Sequence, residues 1–191
     1  MFKNRDASQL NEIESEFEGD TGAPISQVKV KAWMQSQDIE VLGAVYHLII
    51  DKRYYLRIEP PLVVKDYLPF IKHYFERCFR EIPQDSSDFK WAHSRYSAGW
   101  ELASWFVNLW NDEGVPRSML LEIKDWLAEI YKDGDEQLRV CIITATLEHL
   151  FETKEIARFF ADWRKDLILR PGYDEAAKYS KHLRDKGHPR A

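Results

Sequence analysis

Two cysteines in 191 residues are too few for a disulfide framework, and Cys78 and Cys141 lack the paired spacing of a zinc site. Both are expected to be buried thiols in a reducing cytoplasm, a single Cys78–Cys141 bridge being the alternative that the sequence leaves open. Long apolar runs are missing as well. Stretches such as Val140-Cys141-Ile142-Ile143 fall far short of the about 20 residues that a membrane-spanning helix needs. The first residues, Met1-Phe2-Lys3-Asn4-Arg5-Asp6, turn acidic where a secretory signal would be apolar, so neither membrane insertion nor export is expected. Glycines are scattered singly and build no phosphate-cradling loop between a strand and a helix. Nucleotide binding of that kind has no support.

What is present is a helical pattern rich in aromatic residues. With 45% hydrophobic, 14% aromatic and 31% charged residues, the composition is that of an ordinary globular chain and not of a disordered one. Residues 1–24 read as a polar, acidic arm carrying Glu12, Glu14, Glu16, Glu18 and Asp20, loose or with one short helix, and 25–191 as a single all-helical domain. Helical spacing runs from Ser26 to about Gln35 and from Asp38 to about Arg53, with Asp38 as N-cap and Leu42, Val45, Tyr46 and Ile49 at i, i+3, i+4, i+7. Within the first of these, Gln27-Val28-Lys29-Val30-Lys31 also alternates as a short strand would.

Pro69 is expected to start or kink the helix that extends to Ile82, and Pro83 to Asp88 reads as an internal linker. Four helix-sized segments follow between Arg95 and Trp163, with Gly114 and Gly134 in the turns. The first is apolar nearly all round, Trp100, Trp105 and Trp110 included, as a helix buried on several sides would be. Trp105, Phe106, Leu109, Ile123, Leu127, Cys141, Ile142, Leu150 and Phe160 are expected to share one core. Pro171-Gly172 is expected to reset the chain before a last helix near Tyr173 to Leu183. The fold class is all-α, a helical bundle or a short stack of antiparallel helix hairpins with HEAT-like spacing.

Catalytic chemistry finds little to stand on. His149 and Glu152 lie three apart on one helical face, a spacing that can present two metal ligands, but a di-iron bundle needs Glu-x-x-His twice and two further carboxylates. Ser86, Ser87, Asp88, His93, Ser94 and Arg95 supply the residue types of a nucleophilic site but no order that makes one. No catalytic residue, cofactor or metal is assigned. If there is a ligand or enzyme pocket, His93, Arg139, His149 and Glu152 are its residues. The tryptophans fall mostly at core spacing; Trp126 is the one to watch, at the edge of its helix's apolar stripe and beside an acidic row.

Charge is uneven. Residues 101–163 hold 13 Asp or Glu against 6 Lys or Arg, a net of −7, whereas 178–191 carry five Lys or Arg against one Asp. Nucleic acid would be repelled by the acidic stretch. Glu122, Asp125 and Glu129 share a helical face, with Asp133 following, and such a row is either a solvated surface or a docking face for a basic protein. Glu122, Asp125, Trp126, Glu129 and Asp133 are the candidate partner-binding residues.

At Ser97-Ala98-Gly99-Trp100-Glu101-Leu102, at Asp135-Glu136-Gln137-Leu138-Arg139-Val140 through Thr146-Leu147-Glu148-His149-Leu150-Phe151-Glu152, and at Phe159-Phe160-Ala161-Asp162-Trp163, the chain resembles an uncharacterised family of small all-helical bacterial proteins. The likeness covers roughly residues 65–180. Small acidic helical bacterial proteins of this kind include immunity proteins that neutralise toxins. The resemblance implies a cytoplasmic, non-enzymatic binder of a basic partner, a monomer or weak homodimer, with no nucleic-acid or membrane partner. The alternative is a helical enzyme or a small-ligand or metal-binding domain with its pocket near His149.

Overall fold

The computed structural model describes residues 7–18, 23–50, 57–83 and 88–185, and these are helical almost throughout. The fold class is all-α, a helical bundle or stack with almost no strand. The centre of the expected 83–88 linker and the basic residues from 186 onward lie outside the described residues. The chain divides into two compact units, Met1–Ser94 and Arg95–Ala191.

The first unit comprises α1 (Ala7–Glu18), β1 (Ile25–Ser26), α2 (Gln27–Trp33), α3 (Ile39–Ile50), β2 (Ile58–Glu59) and α4 (Val64–Glu81). The alternation at 27–31 belongs to helix α2, and the short parallel pairing lies one step earlier, Ile25 opposite Ile58 and Ser26 opposite Glu59. The stretch read as a loose arm contains α1, whose Ile13 is fully buried. Asp38 caps α3 as expected, its Oδ1 accepting the Glu40 N–H at 3.0 Å. α4 starts before Pro69 and runs through it. Pro69 lies on the exposed side of α4, where water can take the place of the hydrogen bond it cannot donate.

α3 is buried nearly all round, and it holds the unit together through Glu40, which is only 5% exposed. The Glu40 carboxylate accepts the backbone N–H groups of Lys90, Trp91 and Ala92 at 2.9, 2.8 and 2.9 Å. One turn on, a Cβ at Gly43 would sit 2.6 Å from the Trp91 carbonyl carbon and oxygen, so only glycine lets this backbone approach α3. Residues 90–93 are thereby pinned to the core.

The second unit comprises α5 (Arg95–Asn111), α6 (Arg117–Asp133), α7 (Glu136–Cys141), a π-helical stretch Ile142–Leu147, α8 (Glu148–Leu150), α9 (Lys154–Phe159), a 3₁₀ turn Ala161–Lys165 and α10 (Arg170–Asp185). The expected core residues, from Trp105 to Phe160, are all buried here. Trp100 is not among them: it is 46% exposed. The π-helical stretch packs on α5 where Gly99 has no side chain, and a Cβ there would come within 2.6 Å of the Ala145 methyl. Thr146 Oγ1 donates to the Gly99 carbonyl at 3.1 Å, and that extra-wide turn is what the sequence pattern could not distinguish from ordinary α-helix.

Pro171 and Gly172 do not reset the chain. They lie in the first turn of α10, where a missing proline N–H is tolerated, and Gly172 gives room to the Tyr131 hydroxyl, which a Cβ would meet at 2.7 Å. Both cysteines are free and buried, one in each unit; burial pushes the Cys78 thiol up to about 12 and the Cys141 thiol up to about 11.

Candidate functional site

Helix α6 turns one stripe inward and one outward. Leu120, Ile123, Leu127 and Ile130 are buried, whereas Glu122, Asp125, Glu129 and Asp133 are exposed on the opposite side. Trp126 does not join them. At 7% exposure it belongs to the inner stripe, three residues after Ile123 and four before Ile130, and it offers no ring to a partner. Asp135, next in the acidic row, is committed locally: its Oδ1 accepts the Leu138 N–H at 2.7 Å as the N-cap of α7.

The lysines of α6 do not neutralise this face. Lys124 is buried and reaches Asp162 at 2.6 Å, with the Phe159 carbonyl at 3.3 Å. Lys132 reaches Asp166 at 2.6 Å, and that ammonium holds the Asp166 carboxyl below the usual carboxylate range. Both lysines are thus drawn to the segment 162–166. Among the described residues, Asp125, Glu129 and Asp133 have no ion-pair or hydrogen-bond partner.

The four residues of the expected ligand pocket are differently employed. His93 belongs to the first unit. The Tyr74 hydroxyl accepts the His93 backbone N–H at 3.1 Å and shares a second hydrogen bond with the His93 Nδ1 at 2.7 Å. Burial, together with the neighbouring His47, depresses His93 to about 4.

Arg139 closes the end of α6, donating from Nε to the Tyr131 carbonyl at 3.0 Å and from Nη2 to the Lys132 carbonyl at 2.7 Å. His149 and Glu152 do meet, Nδ1 to Oε1 at 3.2 Å, and the imidazole lies tilted against the exposed Trp100 with ring centroids 3.6 Å apart. Among the described residues, no group of three or more His, Cys, Asp or Glu is placed to hold a metal ion.

Comparison of the chain with protein-family models, with curated proteins and with solved structures finds no match.

Two arrangements went unseen in the sequence. Glu148 at the start of α8 is raised to about 7, by burial and then by the negative charge of Glu175 on α10. Residues 27 apart carry no sequence signal of such a pairing. On the first unit, Lys29 with Trp33 and Lys90 with Trp91 each converge on a carboxylate of α1. An adjacent or near-adjacent Lys and Trp was the visible trace of that arrangement, and it gained meaning only when α1 lay between the two pairs. No helix among the described residues is long and apolar enough to cross a membrane.

Proposed function

We propose that the chain is a non-enzymatic protein-binding domain whose second unit docks a basic protein on the outer face of α6, in the manner of a cytoplasmic immunity protein neutralising a toxin. One observation carries the reading: Asp125, Glu129 and Asp133 stand exposed without ion-pair partners among the described residues, while the lysines of the same helix are drawn away to Asp162 and Asp166. Glu122 extends the same face. A row of like charge accelerates encounter with a basic surface and rejects acidic ones. The enzyme or ligand-pocket reading keeps only the His149–Glu152 pair, since Arg139 caps a helix and His93 is bound to Tyr74.

The test is kinetic. With the partner recovered by pull-down from the source organism and purified, Asp125→Lys with Glu129→Lys is expected to slow association by about tenfold or more at low salt. Added salt should slow the unaltered pair and leave the double variant less affected. Exposed single charges contribute little to stability, so the variant's unfolding transition should stay within about 0.5 kcal/mol of the parent. Equal association rates for both proteins across salt would remove this face as the docking site.

A further inference from the structure

Helix α1 lies on the first unit in a cradle whose two walls repeat one piece of chemistry. Ile13 is buried at the centre, and helical geometry puts Glu12 and Glu14 about 100° to either side of it. On one side Glu12 meets Lys29 at 2.9 Å and accepts the Trp33 indole N–H at 3.1 Å, with Lys29 also donating to Glu16 at 2.8 Å. On the other side Glu14 accepts from Lys90 at 2.8 Å and from the Trp91 indole N–H at 2.7 Å. Each ammonium also stands over its own indole ring, Lys29 over Trp33 at 4.9 Å and Lys90 over Trp91 at 5.2 Å. Phe17, one turn after Ile13, stacks on Trp91 at 4.9 Å.

The walls have anchors of their own. Lys29 and Trp33 belong to α2, and residues 90–92 are pinned by Glu40 and Gly43, so the backbone of both Lys–Trp pairs is fixed by contacts that do not involve α1. α1 buries only Ile13 fully; the rest of its hold is the Phe17–Trp91 stack, the two indole hydrogen bonds and ion pairs that water reaches, and the ion pairs contribute little each and weaken with salt. Consistent with that grip, Glu12 and Glu14 are held below the usual carboxylate range by Lys29 and Lys90 respectively.

We infer that the first unit is a receptor for an acidic amphipathic helix of a partner protein, and that α1 is its resident, displaceable occupant. The required pattern is the one α1 shows: a central aliphatic anchor flanked by glutamates on both sides, with an aromatic four residues on. Because α1 is tethered to the cradle, it masks the surface until a better helix competes, and the apparent affinity for a partner is reduced by the fraction of chains in which α1 is seated. This inference concerns the first unit and stands apart from the acidic face of α6.

The probe is a fluorescein-labelled synthetic peptide of residues 7–18, titrated against the full chain by fluorescence anisotropy. Glu12→Gln, Glu14→Gln and Glu16→Gln in one full-length variant loosen the resident helix and leave the cradle intact. That variant is expected to bind the peptide on the order of tenfold more tightly than the parent chain. Adding Lys29→Gln and Lys90→Gln to it should abolish binding, and a peptide with the same three Glu→Gln changes should bind neither protein. Amide exchange should show α1 opening faster than α3 in the parent chain, and faster still in high salt. Three results would overturn the inference: no peptide binding by a loosened chain that keeps its fold, a loosened chain that loses its fold, or α1 amides as protected as those of α3 at every salt concentration. Dimerisation of the loosened chain in place of peptide capture would make a second copy's α1 the occupant and overturn the partner assignment.

Discussion

The Glu40 carboxylate and the Trp91 backbone N–H lie 51 residues apart in sequence and 2.8 Å apart in space. The same carboxylate takes the N–H groups on either side of Trp91, so one buried side chain satisfies three backbone donors. A charged residue in an otherwise apolar helix is thereby explained: its place is set by the segment it captures, not by solvent.

Glu40→Ala is expected to cost at least about 2 kcal/mol, because it removes the acceptor of three part-buried backbone N–H groups at once. Gly43→Ala should cost about 1 to 3 kcal/mol, since its Cβ would press on backbone that cannot rotate away. Urea unfolding followed by far-ultraviolet circular dichroism gives both values. An effect of Glu40→Ala below about 0.5 kcal/mol would mean that the 90–92 segment is held by something else.

Lys124 and Asp162 form the other buried charge contact, with Lys124 inside and Asp162 half in water. Asp162→Ala strands an ammonium beside the Phe159 carbonyl and should cost about 1.5 to 3 kcal/mol. Lys124→Met keeps the packed stem and removes the charge, so it should fall within about 1 kcal/mol of the parent. Combined with Lys124→Met, Asp162→Ala should lose most of its cost. Equal costs for Asp162→Ala in both backgrounds would show that the pair is not coupled.

The two units should respond to pH in opposite directions. In the second, the Glu148 carboxyl titrates at about 7 when folded against 4.5 when unfolded, so between these values the unfolded chain gives up a proton that the folded chain keeps. Its stabilising contribution is fully present below about 4.5 and is lost as pH rises through 7. In the first, His93 titrates at about 4 when folded against 6.5 when unfolded, so stability present above 6.5 is lost as pH falls through 4. Amide exchange resolved by unit should show α10 loosening toward pH 8 and α4 loosening toward pH 4. Glu148→Gln should flatten the first trend and leave the second. Identical profiles for Glu148→Gln and the parent in α10 would refute the assignment to Glu148.

Helix α6 shows how much the sequence decides alone. Apolar residues at 3.6-residue spacing, a proline just before its first residue and a glycine after its last are local instructions, and Leu120, Ile123, Leu127 and Ile130 are buried as their spacing requires. The all-helical class and the shared core of the second unit follow from the same periodicity. So does the outward direction of Glu122, Asp125, Glu129 and Asp133, which lie opposite the buried stripe.

Periodicity does not reach across the chain, and that is where the tertiary structure decided. Trp100 has the composition of a core residue but is half in water against His149, because Gly99 and Ala145 bring α5 and the π-helical stretch together on the neighbouring face. Trp126 has the look of a surface anchor but is inside. α1 reads as polar and unattached, yet its glutamates meet Lys29, Trp33, Lys90 and Trp91, residues up to 77 positions away. Whether a charge is solvated, buried or held depends on which distant segment arrives beside it, and that information exists only once the chain has folded.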